Sequence, residues 1–189
     1  MKYEPHDYQA FVTSKIIDTK KIMAILEMGL GKTVATLTGI DELMYSRLEV
    51  NKVLLIAPLR VAEYTWPDEI EKWNHLSRLK LVKVLGSEKK RIEALNTNAD
   101  IYAINRENVS WLVSYYVKTK RWPFDTIIVD ESSSFKSPSS MRFKSLKKVT
   151  QISPRVILLT GTPTPNGFMD LWSQMYLVDS GQRLGKSIT

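Results

Sequence analysis

Short apolar runs alternate with longer stretches of helical periodicity along this chain. Six runs have the length and apolar character of buried strands, at residues 22–26, 53–57, 81–85, 101–104, 127–130 and 156–160. Helical spacing between and after them predicts helices at residues 33–47, 62–73, 88–95, 108–118, 141–149 and 167–178. Alternation of this kind predicts an α/β fold, with a mainly parallel β-sheet and helices on both faces.

Two polar strings follow predicted strands. GLGKT begins at Gly29, shortly after the run IMAIL, and the pair Asp130-Glu131 ends the run TIIV. Ligands of a parallel sheet bind at the carboxyl ends of its strands, so we expect both strings at one edge of the sheet.

The GLGKT string has the composition of a phosphate-binding loop. A glycine-rich turn lets backbone N–H groups converge on phosphate oxygens, and a helix that begins near Lys32 directs the positive end of its dipole toward them. Lys32 then contacts the β- and γ-phosphates, and Thr33 offers its hydroxyl to Mg²⁺. The full pattern has an earlier glycine where this chain has Leu26, so the match is incomplete. The residues we assign to nucleotide binding here are Met28, Gly29, Leu30, Gly31, Lys32 and Thr33.

The Asp130-Glu131 pair supplies the complementary chemistry. An aspartate at the end of a second buried strand holds the same Mg²⁺ through its water shell, and Glu131 is placed to orient and deprotonate the attacking water. Acidic residues also end strands as ordinary solvated loop residues. Both strings together, in this order, predict Mg²⁺-ATP hydrolysis with Lys32, Asp130 and Glu131 as catalytic residues.

Composition narrows the class of protein. A chain of 189 residues suits one α/β domain, and a formal net charge of +7 favours a polyanionic partner such as nucleic acid. The absence of cysteine excludes disulfides and a cysteine nucleophile, and His6 and His75 are too far apart in sequence to suggest a zinc cluster.

The chain shows no sign of a membrane span or a signal peptide. Its apolar runs are far shorter than the roughly 18 residues that a span needs, and its start, MKYEPHDYQ, is polar. We therefore expect no membrane partner and a cytoplasmic, nucleoid-associated or nuclear protein that is not secreted.

Further strings make the pattern specific. Tyr8-Gln9 precede the phosphate loop, APLRVAEYTW begins at Ala57, DESSSFKSPSS begins at Asp130 and LLTGTPTPN begins at Leu158. In order and spacing, these strings and EMGLGKT resemble the helicase motifs of superfamily two, most closely its Swi/Snf-like branch of double-stranded-DNA translocases. The resemblance implies that residues 1–189 form the N-terminal RecA-like P-loop NTPase lobe of such an enzyme, with ATP and Mg²⁺ as cofactors.

The resemblance also implies roles for individual residues. Tyr8 and Gln9 match the adenine-recognition motif, although a helix-surface glutamine beside a core tyrosine is the simpler interpretation of the pair alone. Thr160, Gly161 and Thr162 match the segment that relays nucleotide state to the DNA groove; the alternative is a β-turn built on Gly161 and Pro163.

Four residues are implied to contact nucleic acid. Pro58 and Arg60 match the first DNA-backbone motif. Asn105 has a looser match, which a helix-entry loop explains nearly as well. Lys136 is either a phosphate contact or a solvated lysine.

Two departures from the family bear on function. Ser133 stands where the family has a histidine that links the γ-phosphate to the threonine motif, so coupling requires a hydroxyl or is omitted. The family also closes its ATP site with a second RecA-like lobe, which brings arginine fingers and half of the DNA groove. We therefore expect double-stranded DNA and a second lobe, in cis or in trans, as partners.

Two other classes of protein remain open from sequence. One is a stand-alone, non-catalytic module that binds nucleotide and DNA. The other is an unrelated P-loop ATPase or small-molecule kinase, against which the TGTP and YQ strings argue.

Overall fold

The computed structural model describes residues 1–119 and 121–187 and contains one six-stranded sheet in the order β1-β6-β5-β2-β4-β3. Every neighbouring pair is parallel, so the sheet is entirely and not just mainly parallel. The strands are β1 (Lys21–Ile25), β2 (Val53–Ala57), β3 (Leu81–Lys83), β4 (Ile101–Asn105), β5 (Thr126–Asp130) and β6 (Arg155–Thr160). All six predicted strands are present, within two residues at each end.

Seven α-helices lie on the two faces of the sheet within the described part of the chain. They are α1 (Asp7–Asp18), α2 (Lys32–Asp41), α3 (Trp66–Lys72), α4 (Glu88–Leu95), α5 (Val109–Thr119), α6 (Met141–Thr150) and α7 (Met169–Asp179). The predicted helices 33–47 and 62–73 each include a π-helical turn, at Glu42–Ser46 and Val61–Thr65. None of the described helices is long and apolar enough to cross a membrane.

Side chains alternate between two hydrophobic cores along each strand, as the pleat requires. In β2, Leu55 packs into a core with α1, α2 and α3, whereas Leu54 and Ile56 pack into a second core with α5, α6 and α7. The residues of β2, β4, β5 and β6 are buried along their whole length, as expected for parallel strands that are covered on both faces.

The register of the sheet determines which loops meet. Strand β6 lies between β1 and β5, with Thr160 opposite Ile25 and Leu159 opposite Asp130. The loops that follow Ile25, Asp130 and Thr160 therefore leave the same edge of the sheet side by side.

Helix α1 is anchored at the opposite edge. The buried Arg155, at the start of β6, donates from Nη1 to the carbonyls of Ile16 at 2.6 Å and of Ile17 and Thr19 at 3.2 Å. These carbonyls lack helical partners at the end of α1, so the guanidinium caps the helix and fixes its position on the sheet.

Candidate nucleotide-binding site

The loop between β1 and α2 has the backbone of a phosphate-binding turn. Gly29 and Gly31 have φ values of +83° and +75°, which side chains disfavour, and Gly31 is the N-cap of α2. A Cβ atom at Gly31 would overlap the amide of Gln9. The side chains of Met28 and Leu30 are exposed, and a role of these two residues in nucleotide binding stays a prediction.

Lys32, the first residue of α2, crosses this loop. Its Nζ donates to the carbonyl oxygens of Leu26 at 2.8 Å and Glu27 at 3.0 Å. Leu26 is the residue at which the sequence pattern lacks a glycine, and it contributes a backbone carbonyl that holds the lysine. Thr33 follows in the first turn of α2 and is half-buried. The dipole of α2 and the Lys32 ammonium thus put positive charge at the loop.

Gln9 connects α1 to the phosphate loop. It is 8% exposed; its Nε2 donates to the carbonyl of Leu30 at 3.2 Å, and its Oε1 accepts from the backbone N–H of His6 at 3.0 Å. Tyr8 is 40% exposed, with its ring stacked on His6. This is the reverse of a surface glutamine beside a core tyrosine. Recognition of adenine by Tyr8 and Gln9 stays a prediction.

Asp130 ends β5 as a buried carboxylate. Its Oδ2 accepts from the indole Nε1 of Trp66 at 2.9 Å, and its Oδ1 accepts from the backbone N–H of Glu131 at 3.0 Å. Burial raises the pKa of Asp130, and the Trp66 hydrogen bond, the Glu131 N–H and the charge of Lys32 oppose that rise. The carboxylate is therefore fixed in direction and costly to keep charged without a cation.

Sequence reasoning missed the role of Trp66. The residue ends the APLRVAEYTW string, lies at the start of α3 and is fully buried. The signal was present, because an indole N–H can only donate and a buried tryptophan needs an acceptor. Nothing in the local spacing identified Asp130 as that acceptor.

Glu131 has an unusual backbone. Its φ and ψ are both +54°, in the left-handed region that a non-glycine residue rarely adopts. Burial raises the pKa of its carboxyl group, the charge of Asp130 raises it further, and Lys32 and Arg106 lower it. A carboxylate with a raised pKa is a stronger base, which suits the predicted activation of water.

The threonine segment lies against the phosphate loop. Thr160 is fully buried at the end of β6, and its Oγ1 accepts from the backbone N–H of Thr162 at 3.2 Å. A Cβ atom at Gly161 would lie 3.2 Å from the carbonyl oxygen of Leu26 and 3.5 Å from the backbone nitrogen of Met28. Glycine therefore permits the close approach of the two loops.

The residues implied to contact nucleic acid differ in exposure. Arg60 is exposed just after β2, next to the half-buried Pro58. Lys136 pairs with Asp170 at 3.7 Å, and Asn105 is buried. The amide of Asn105 is engaged within its own helix-entry loop, by Glu107 and Asn108. Of the four, Arg60 is best placed for a backbone phosphate, and all four assignments stay predictions.

The site also fits the expected metal. Within the described residues, no group of three or more His, Cys, Asp or Glu side chains could hold a metal ion. Mg²⁺ binds through few protein oxygens and is otherwise held by water and phosphate. The hydroxyl of Thr33 and the carboxylate of Asp130 are donors of that kind.

Together, the parallel sheet, the glycine turn and the acidic strand end define a RecA-like P-loop NTPase lobe. The chain belongs to the SNF2-related domain family, which matches residues 18–182. The resemblance to the Swi/Snf-like branch and the predicted α/β fold are both confirmed.

Curated relatives are longer than this chain. It is 44% identical over 191 residues to "Putative protein p41" of Acyrthosiphon pisum secondary endosymbiont phage 1. This match covers 98% of this chain and 41% of that protein. It is 32% identical over 156 residues to "Helicase SWR1" of Mycosarcoma maydis, covering 80% of this chain and 8% of that protein. The chain therefore spans less than half the length of these relatives.

A solved structure shows the same fold. The chain is similar to the "Sulfolobus solfataricus SWI2/SNF2 ATPase core in complex with dsDNA", with a TM-score of 0.78 and 25% sequence identity. The match covers 96% of this chain and 37% of that one.

Proposed function

We propose that this chain is the ATP-binding lobe of an ATP-dependent DNA translocase or helicase, which couples Mg²⁺-ATP hydrolysis to movement on nucleic acid. One observation carries the proposal: the loops after β1, β5 and β6 meet at a single edge of the sheet. There Lys32 crosses the phosphate loop and Gly161 packs against it. Asp130 is buried beside them, within range of the charge of Lys32.

Each group has a role in this proposal. The backbone N–H groups of the glycine turn and the ammonium of Lys32 bind the phosphates, while Thr33 and Asp130 hold Mg²⁺. The metal would neutralise phosphate charge. Glu131 orients the attacking water and accepts its proton. Thr160 and Thr162 respond to the nucleotide through the contact between their loop and the phosphate loop.

Double-stranded DNA is the proposed polymer, and a second RecA-like lobe is the proposed partner. The DNA proposal is supported by the double-stranded DNA in complex with the similar SWI2/SNF2 core, by a net charge of +7 and by the exposure of Arg60. A DNA partner is compatible with a cytoplasmic, nucleoid or nuclear location.

Calorimetry with Mg²⁺-ATP tests the nucleotide site. Lys32→Ala should lower the affinity about 100-fold or more, because it removes charged hydrogen bonds to phosphate. Glu131→Gln is the matched variant and should bind Mg²⁺-ATP as the parent chain does. Equal affinities of the parent and Lys32→Ala would remove the phosphate-loop assignment.

Titration with duplexes of different sequence and at rising salt tests the DNA surface. Binding should be weak, insensitive to base sequence and steeply reduced by salt, because phosphate contacts release counterions. Arg60→Ala should reduce the slope of log affinity against log salt by about one. A clear preference for one base sequence, or affinity that does not change with salt, would contradict the proposal.

A further inference from the structure

One buried side chain joins the loop after Asp130 to the loop after Thr160. Gln174, in the second turn of α7, is fully buried. Its Oε1 accepts from the hydroxyl of Ser132 at 2.8 Å, and its Nε2 donates to the carbonyl of Pro163 at 2.6 Å. Ser132 directly follows Glu131, and Pro163 directly follows Thr162. A single amide therefore spans the two loops that face the nucleotide.

The chemistry of these partners requires a glutamine in this orientation. The carbonyl of Pro163 can only accept a hydrogen bond, so the amide nitrogen must face it and the amide oxygen must face Ser132. The nitrogen also donates to the carbonyl of Asp170 at 3.0 Å. A leucine of similar size would remove the hydrogen-bond partner of the buried Ser132 hydroxyl and of the partly buried Pro163 carbonyl.

The connection does not run through the residue that the family pattern indicates. The resemblance assigns the link between the acidic and threonine motifs to the position of Ser133. In the structure Ser133 is half-buried, and its carbonyl accepts from the backbone of Lys136 at 3.3 Å. The side chains of Ser132 and Gln174, by contrast, connect the two motifs directly.

We propose that Gln174 is a positioning residue that transmits metal-dependent changes at Asp130 and Glu131 to the loop after Thr160. Glu131 has a restricted left-handed backbone, so a shift of its carboxylate moves Ser132, the first residue of a short 3₁₀ helix. Gln174 passes that shift to Pro163 through one rigid amide. The proposal rests on the proposed function, because it requires Mg²⁺-ATP at this edge of the sheet.

A second connection must be separated from this one. Gly161 contacts the backbone of the phosphate loop directly, so nucleotide alone can influence the threonine segment without Gln174. The Gln174 connection begins instead at Ser132, which directly follows the two residues proposed to hold the metal and orient the water. The part of the response that depends on Mg²⁺ therefore reports on Gln174.

Hydrogen exchange of backbone amides measures this response without turnover, DNA or a second lobe. Three backbone amides are suitable. The N–H of Thr162 donates to Thr160 Oγ1, the N–H of Asn166 donates to Asp170 Oδ2, and the N–H of Gly167 donates to the carbonyl of Thr164. Exchange is compared in saturating ATP with EDTA and in saturating Mg²⁺-ATP. In the parent chain, Mg²⁺ should slow exchange at these amides about fivefold or more, as expected for coupled sites.

Gln174→Leu and Ser132→Ala should each abolish this slowing while amides 29–33 remain protected by the nucleotide. Ser173→Ala is the matched control, because Ser173 is equally buried on α7 and, among the described residues, its hydroxyl donates to the carbonyl of Lys136 at 2.7 Å and not to Ser132 or Pro163. It should behave as the parent does. Gln174→Glu, which keeps the acceptor and loses the donor, should also abolish the slowing.

The outcomes separate the two proposals. Parent-like slowing in Gln174→Leu or Ser132→Ala, or equal loss in Ser173→Ala, would overturn the role of Gln174. Protection of amides 29–33 by nucleotide in the parent, with no added effect of Mg²⁺ on the threonine segment, would overturn it too and leave the nucleotide site intact. No protection of amides 29–33 in the parent would overturn the proposed function itself.

Discussion

Strands β5 and β6 carry polar residues at both ends, and the two ends differ in how those residues are stabilised. At the amino ends, Oδ2 of Asp125 accepts backbone N–H groups of Asn51 and Lys52, and Arg155 caps α1. These groups bind other parts of the fold. Their favourable contacts are formed on folding, without a ligand.

At the carboxyl ends of the same strands, two neighbouring carboxylates, Asp130 and Glu131, lie within range of the charge of Lys32. Burial raises the pKa of Asp130 and of Glu131, and Glu131 also has a left-handed backbone. Strain and raised pKa values of this kind are concentrated at functional sites because a ligand relieves them. The amino ends of these strands thus hold contacts within the fold, while their carboxyl ends carry the groups that we propose bind a cation and phosphate.

The carboxyl ends of the strands, with the loops that follow them, are called the carboxyl edge, and the amino ends the amino edge. The largest expected effect concerns ATP hydrolysis by the carboxyl edge without a second lobe. An arginine finger is worth roughly 10³–10⁵ in rate, and in this family it comes from the second lobe. The 189-residue chain should therefore bind Mg²⁺-ATP and hydrolyse it near background, even with saturating DNA. Phosphate release measures this. Adding a second lobe, in cis or as a separate chain, should restore DNA-stimulated turnover.

A specific result would contradict this prediction. Turnover of the chain alone at about one per second, stimulated by DNA and lost in Glu131→Gln, would show that it supplies its own finger or gains one by self-association. The carboxyl edge would then be a complete active site.

The next largest effect concerns the amino edge. Arg155→Leu removes the cap of α1 and leaves its carbonyls unpaired, so the free energy of unfolding should fall by about 2–4 kcal/mol. Urea denaturation measures this, and the folded variant should keep the Mg²⁺-ATP affinity of the parent. Arg183→Leu is the control, because Arg183 is exposed and forms a 3.9 Å ion pair with Asp179. Equal losses in both variants would remove the special role of the amino edge.

A smaller effect is expected at Trp66. Trp66→Phe keeps an aromatic ring in the core and removes the donor to Asp130, so the pKa of Asp130 should rise further and Mg²⁺ should bind about 10-fold more weakly. Titration of Mg²⁺ into the ATP complex measures this. Trp122→Phe is the control, because Trp122 donates to Ser153 at 2.9 Å. A Mg²⁺ dependence that changes equally in both variants would contradict a specific role for Trp66.

The same contrast explains what the sequence could predict. The short apolar runs predicted all six strands, and the GLGKT and DE strings identified Lys32 and the Asp130-Glu131 pair. Each of these patterns is contained within a few consecutive residues, so it can be recognised in the sequence. Helix α1 was not predicted, since Gln9 and Ile16 are its only buried residues and its apolar stripe is weak.

Long-range partners were also beyond local reasoning. Trp66 and Asp130 are 64 residues apart, and Ser132 and Gln174 are 42 apart. Which buried donor meets which acceptor depends on how the layers pack, and the spacing of residues along the chain carries no record of that. The resemblance even pointed to Ser133, one residue away from the side chain that forms the link.

The smallest expected effect uses pH to separate stability from binding at the carboxyl edge. The pKa of Glu131 is raised in the folded chain, above the ordinary 4.5, so the folded state binds this proton more tightly than the unfolded state does. Its contribution to stability is therefore fully present below the unfolded pKa and is lost as pH rises through the folded pKa. Metal binding follows the opposite trend, because Asp130 must be ionised to hold Mg²⁺.

Parallel urea titrations of the parent chain and Glu131→Gln test this. The stability of the parent relative to the variant should decline as pH rises from about 4 toward neutrality. Over the same range the affinity of the parent for Mg²⁺-ATP should increase. On acidification this affinity should begin to fall at a pH above the pKa of an ordinary aspartate, because burial raises the pKa of Asp130. A stability difference that does not change with pH, or one that grows as pH rises, would contradict a raised pKa of Glu131 in the folded chain.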